Sequence, residues 1–251
     1  MESISLITRA DDLGSSHAAN EAILRVAEAG FVKNISVLAS CAHLEEAAEM
    51  LSGRTDVAFG LHACATSEWD KVRWAPLAHS SRVPNLIDCR GAMHQTVELL
   101  AEAKPAVEEI LYEYRCQLER LRNVGFHITY MDSHMMPERM IPGLREAMTR
   151  MAKEEGLIDH TPYNRFFPEL HRVSTEQGLF RNLLKEASGQ YLFIMHPACM
   201  SDEMRMTGNS RKSGDSVAAQ RAADLKFMTD PDTLAACAEF GVRLLRYDEA
   251  E

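Results

Sequence analysis

Two rhythms of apolar and polar positions alternate along the chain. Short apolar runs at Ile4–Ala10, Asn34–Ser40, Val57–Leu61, Ile128–Met131, Leu157–Thr161, Tyr191–Met195 and Val242–Tyr247 have the length and flanks of strands. Between them lie stretches with helical spacing. Ala19, Ile23, Val26 and Ala27 form one stripe over His17–Ala29, with Gly30 as its stop. Val107, Ile110, Leu111, Tyr114, Leu118 and Leu121 form another within a long helix predicted over Thr96–Asn123. Further helices are predicted at His43–Leu51, from Pro137 to Glu155, at Thr175–Ser188, at Val217–Met228 and from Pro231. Strand and helix alternate without a shift in composition, as in βαβ units with a mostly parallel sheet. The expected fold is a distorted (β/α) barrel of seven or eight mostly parallel strands, with residues 1–251 as a single catalytic domain. Cys64–Gly91 and Ala198–Ser216 break the rhythm, and the first is predicted as a long loop over the C-terminal rim.

Four of the strand patterns end in side chains that can carry chemistry. The first runs into Asp11-Asp12 and Gly14, the third into His62, the fourth into Asp132-Ser-His134, and the sixth into His196-Pro197. In a parallel barrel these ends meet at one mouth, where such folds place their active sites. Asp12, His62 and His134 together make a three-ligand divalent-metal set with positions left for water and substrate. Asp11 is then available as a general base toward metal-bound water, and His196 as an acid toward a leaving group. Asp132 is a candidate orienter of a ligand histidine. Trp69 and Trp74 are candidate stacking platforms, and Arg165 and Arg221 candidate partners of Asp11 or of a substrate oxygen. Each also has a plainer explanation: a turn and helix cap for the Asp pair, core or turn positions for the histidines, a hydrophobic clamp for the tryptophans, solvated arginines. The remaining histidines, at 17, 43, 79, 94, 127, 160 and 171, are assigned to surface or structural positions.

Composition narrows the function classes. A net charge of −10 argues against neutralising nucleic-acid phosphates. The six cysteines (41, 64, 89, 116, 199, 237) have no CxxC spacing and are read as reduced cysteines of a cytoplasmic protein. No apolar run approaches the roughly 18 residues of a membrane span. Neither nucleic acid nor membrane is therefore an expected partner; the charge leaves a small neutral carbohydrate open as a substrate, and a homodimer is carried as an expectation that no residue pattern supplies. No G-x-G-x-x-G follows the first strand, and no phosphate-binding G-x-x-x-x-G-K-[ST] occurs.

Arg9-Ala-Asp-Asp-Leu-Gly14 with Asn20-Glu-Ala-Ile23, Gly30-Phe-Val-Lys-Asn-Ile-Ser-Val-Leu38, Phe59-Gly-Leu-His62, Tyr130-Met-Asp-Ser-His134, His196-Pro197 and Arg221–Leu225 resemble the motifs of the YdjC-like carbohydrate deacetylases. The resemblance extends over nearly the whole chain. It implies a fold related to NodB-type deacetylases and metal-dependent removal of acetyl from a small N-acetylated sugar. It also implies Asp11 as base, Asp12, His62 and His134 as metal ligands, and His196 as acid or substrate contact. The donor set leans toward zinc, while the resemblance implies magnesium. Two departures stand out. Met135-Met136-Pro137 follows where that family often carries a second histidine, and Thr66–Trp74 is unlike the general pattern, which points to a distinct subgroup. The alternatives are a metal-dependent hydrolase of another amide, ester or glycoside, and a non-catalytic sugar- or metal-binding protein.

Overall fold

The computed structural model describes residues 3–251. Seven strands, β1 (Ile4–Leu13), β2 (Asn34–Val37), β3 (Ala58–Ala63), β4 (Ile128–Ser133), β5 (Ile158–Asp159), β6 (Gly189–Met195) and β7 (Arg243–Leu245), form one sheet. The main order is β5-β4-β3-β2-β1-β6, and all pairings between these strands are parallel. β1 is the hub. One of its edges carries β6, and the other is shared, with β7 beside Ser5–Ile7 and β2 beside Arg9–Leu13. Asn34 stands at this fork. Its amide nitrogen donates to the carbonyls of Thr8 and Leu245, and its side-chain oxygen accepts from the Tyr247 amide. β5 and β6 do not pair. The gap is narrowed by the segment after β5, where Leu192 of β6 exchanges backbone hydrogen bonds with Arg165 and Phe167. The result is a curled half-barrel, the expected distorted (β/α) barrel with seven strands.

Helices α1 (His17–Ala29), α2 (Leu44–Leu51), α3 (Val97–Glu102), α4 (Val107–Asn123), α5 (Leu144–Glu154), α6 (Leu179–Glu186), α7 (Asp202–Arg205), α8 (Gly214–Thr229) and α9 (Pro231–Glu239) accompany the strands. The large core lies between sheet and helices, with Leu6, Ile23, Phe31, Ile35, Leu61, Tyr114, Leu144 and Phe193 among its buried members. A smaller cluster that includes Ile7, Ala58, Tyr130, Leu192, Leu245 and Tyr247 fills the concave interior. The long helix predicted over Thr96–Asn123 is divided at Lys104-Pro105. Proline disfavours helical backbone at the residue before it, and Lys104 adopts a left-handed φ of 52°. The predicted loop at Cys64–Gly91 is pinned rather than loose. Thr66 bridges His94, the Met93 amide donates to the Trp74 carbonyl, and the Glu113 carboxylate accepts from the amides of Leu77 and Ala78.

Candidate metal centre

β1 does not stop before its carboxylates. It continues to Leu13 through a register shift between Ala10 and Leu13, and Asp12 takes a left-handed φ of 72°. In a regular strand Asp11 and Asp12 would point to opposite faces. A bulge re-aims a side chain, and here both carboxylates end up buried at the mouth of the half-barrel. Asp tolerates the left-handed region better than most residues, but the conformation still costs on the order of 1 kcal/mol and is held by its surroundings.

Asp12, His62 and His134 converge. The His62 Nε2–His134 Nδ1 distance is 3.2 Å, and Asp12 Oδ1 lies 3.6 Å from the first nitrogen and 3.8 Å from the second. Ligands at roughly 2.0–2.2 Å from a tetrahedral ion sit about 3.3–3.6 Å apart, so the triangle has the right size. The outer hydrogen bonds fix both tautomers. His62 Nδ1 faces Asp132 Oδ1, and His134 Nε2 lies 2.9 Å from Glu68 Oε2. A carboxylate only accepts, so those outer nitrogens carry protons, and the two inner nitrogens face one another across the centre. Asp12 Oδ1 is buried without a hydrogen-bond partner. Two inward-facing imidazole nitrogens and an orphaned carboxylate oxygen are what a cation would satisfy. The charges agree: Asp11, Asp12, Asp132 and Glu68 oppose two guanidiniums, Arg9 and Arg221, leaving two negative charges for a divalent ion to balance.

The groups behind the triangle are tightly tied. Arg9 lies buried inside the half-barrel, where Nε and Nη2 donate to the two Asp11 oxygens at 2.6 and 2.7 Å, and Nη1 meets Tyr247 Oη at 3.0 Å and Asp132 Oδ2 at 3.1 Å. Ser36 Oγ, itself 2.9 Å from Tyr130 Oη, also donates to Asp132. Arg221 of α8 reaches Asp12 Oδ2 at 2.7 Å. Burial opposes the charge on Asp12, yet Arg221 and the neighbouring imidazoles hold its carboxyl far below the usual range. Burial likewise pushes the His62 imidazole down, but Asp132 and Asp11 outweigh it and lift it to about 9, so a cation bound here would displace a proton from the inner nitrogen. Asp11, His62 and Asp132 also form a compact acidic-imidazole group. The bidentate Arg9 occupies its carboxylates and makes it the support of the first.

His196 stands at the open side, with 45% of its side chain exposed and Nε2 4.0 Å from Asp11 Oδ2. A cavity of about 290 Å³ opens beside Asp12, and Trp69 and Trp74 line it. Trp74 is rigidly held, its Nε1–H donating to the Thr66 carbonyl at 2.9 Å and its ring 6.1 Å from that of His134. The structure does not bring Arg165 to this cluster. It stacks on Tyr191 at the start of β6, 2.9 Å from that hydroxyl, at the opposite end of the strands. Glu68 and Arg9 were not among the residues singled out from the sequence, and Ser36 and Tyr247 lay within unremarkable strand patterns. His160 directly follows β5, its Nε2 is buried without a partner, and burial pushes its imidazole down. In the sequence it lies within the apolar run predicted over Leu157–Thr161 and is assigned with the other histidines to surface or structure. Among the described residues no helix is long and apolar enough to cross a membrane.

Several known proteins share this architecture. A carbohydrate deacetylase of Geobacillus stearothermophilus is 28% identical over 97% of this chain and 96% of its own length. A chitooligosaccharide deacetylase of Klebsiella pneumoniae is 24% identical over 96% and 97%. A solved structure from Enterococcus faecalis V583, described as a candidate cellobiose-phosphate cleavage protein, superposes with a TM-score of 0.78 at 19% identity, covering 98% of both chains. The polysaccharide deacetylase structure from Bacillus cereus gives 0.50 at 13% identity, over 98% of this chain and 92% of that one. The two structural likenesses show a shared fold. Matched from residue 5 to residue 239 by the profile of the YdjC-like proteins, the chain belongs to that family.

Proposed function

We propose that the protein is a carbohydrate deacetylase, a hydrolase that removes an acetyl group from the nitrogen of a small sugar or oligosaccharide, with residues 1–251 acting as one catalytic domain. The observation that carries this reading is the triangle of Asp12 Oδ1, His62 Nε2 and His134 Nδ1 around an unsatisfied buried centre. A divalent cation, zinc or magnesium, held there by these three residues would polarise the amide carbonyl and make a bound water more acidic. Asp11 accepts the proton of the attacking water. Its Arg9 clamp fixes its direction, so it does not rotate away from the reacting centre. His196, on the open side near Asp11, delivers a proton to the departing nitrogen. Asp132 and Glu68 hold the two imidazoles in the tautomers that point their lone pairs inward. Arg221 orients Asp12 by taking its other oxygen. Water adds to the carbonyl carbon, the C–N bond breaks, and acetate and a free amine leave.

The test is acetate release from N-acetylglucosamine and its short oligomers by protein loaded with zinc or magnesium, beside the D11N variant. The wild type is expected to release acetate. D11N is expected to lose about 10²–10⁴-fold in kcat while binding the same amount of metal. Full activity in D11N would remove Asp11 as the base. Failure of the wild type on every N-acetyl sugar, with metal bound, would overturn the deacetylase reading.

A further inference from the structure

Asp224 is a buried carboxylate that the reaction as drawn leaves unused. It lies on α8 and is 6% exposed. Its hydrogen-bond partners are all neutral. Ser174 Oγ donates to Oδ1 at 2.7 Å, Gln220 Nε2 donates to the same oxygen at 3.0 Å, and the backbone amide of His196 donates to Oδ2 at 3.3 Å. A buried carboxylate costs free energy unless its hydrogen bonds are made. Here those bonds tie together α8, the end of β6 and the segment that holds Ser174.

The contact with His196 bears on how that side chain is aimed. His196 follows the last residue of β6, and its ring makes no hydrogen bond among the described residues; Nε2 stays 4.0 Å from Asp11 Oδ2. The ring therefore takes its direction from the backbone beneath it. Pro197 biases His196 toward extended backbone. On both sides of that proline the chain is stitched to α8, by the His196 amide to the Asp224 carboxylate and by the Ala198 amide to the Arg221 carbonyl at 3.2 Å. Ser174 and Gln220 occupy the second oxygen of Asp224 and keep the carboxylate from turning. Arg221 and Asp224 stand three residues apart on α8 and so share a face of the helix. The first takes Asp12 Oδ2, and the second takes the His196 amide. One helix thus sets the position of His196 relative to the metal triangle.

Building on the deacetylase reading with His196 as the acid, we propose that Asp224 is a positioning residue for the reaction. It acts through the backbone amide of His196, and it holds the imidazole where a proton can pass to the departing nitrogen. The bond changes are those of the hydrolysis. Water adds to the carbonyl carbon and gives its proton to Asp11, the C–N bond breaks, and the nitrogen takes the proton of His196.

The test compares two substrates that differ in their need for that last proton. An N-acetylated sugar expels an amine and needs it. p-Nitrophenyl acetate expels a stabilised phenolate and does not, while it still calls on the cation and Asp11. In the metal-loaded enzyme D224A is expected to lose about 10–100-fold in kcat on N-acetylglucosamine oligomers, the scale of a displaced catalytic group. KM, bound metal and the ester rate should stay at wild-type values. Added to H196A, D224A should cost nothing further on the amide, because the group it positions is already gone. D224N keeps the volume and leaves one acceptor oxygen for three donors, so it shows the same split in milder form if D224A fails to fold. Equal losses on amide and ester, or loss of metal, would overturn the inference and make Asp224 a residue of the fold alone. An amide rate unchanged in the folded variant, or a full second loss in the H196A background, would overturn it as well. Each of these results leaves the deacetylase reading standing. A wild type that hydrolyses the ester and no N-acetyl sugar would end that reading, and this inference with it.

Discussion

At the scale of single residues, the site is a set of imidazoles whose direction is set from behind. His62 is useful only if Nδ1–H is committed to Asp132, and Asp132 is committed in turn to Arg9 and Ser36. Asp132→Asn keeps the shape and removes the charge. It is expected to weaken zinc or magnesium binding by about 10–100-fold, the usual effect of losing such a support, as read by calorimetric titration. Affinity within twofold of wild type would show that Asp132 only fills space. Glu68→Gln at His134 should act in the same direction. Asp12, His62, Asp132 and His134 were visible in the sequence because each follows an apolar run directly, so that strand period and residue type point together. Glu68 was not, since it lies in an irregular segment without a period. Arg9 reads as one polar residue in a strand, and nothing in its neighbours reveals that it is sealed inside the half-barrel. Arg165 failed for the opposite reason. A charged side chain in a loop carries no sign of which end of the sheet it will reach.

At the scale of elements, β3 and β4 depend on a close approach that the sequence hides. Gly60 sits beside Tyr130 in the register of the sheet, and a Cβ on Gly60 would lie 2.2 Å from the Tyr130 ring. The absence of a side chain lets Tyr130 lie across β3 and reach Ser36 of β2 at 2.9 Å, and Ser36 then supports Asp132. Gly60→Ala should cost about 1–3 kcal/mol from overpacking. It should also loosen the His62 support, so thermal stability and cation affinity fall together. A stable variant with intact affinity would mean that Tyr130 has another place to go. Element types along the chain were legible and their ends less so. β1 extends past Ala10 because Leu13 finds a partner in Val37 across the bulge, a long-range event no local pattern announces. The helix predicted from Thr175 starts at Leu179, after Gly178 with a left-handed φ of 78°. α7, only four residues long, falls within a stretch without periodicity.

At the scale of the whole molecule, the half-barrel gathers more negative than positive charge at one mouth, an imbalance that a bound cation would offset. The parallel plan followed from the alternation of rhythms. The fork at β1 and the seam between Arg165–Phe167 and β6 did not, since pairings of about three residues leave no period to read. An ion that binds the folded chain and not the unfolded one adds RT ln(1 + [M]/Kd) to stability, about 2.7 kcal/mol at a hundredfold excess over Kd. For a chain of this size each kcal/mol moves the midpoint by roughly 2–4 °C. Chelation should therefore lower Tm by roughly 5–10 °C, and readdition of zinc or magnesium should restore it. The shift belongs to the triangle only if Asp12→Ala abolishes it. That variant also leaves Arg221 without its carboxylate, so its cation-free Tm should fall below that of the wild type under chelation. A wild-type midpoint indifferent to chelator and cation alike would mean that the four buried carboxylates are balanced within the protein itself, and the centre would lose its metal.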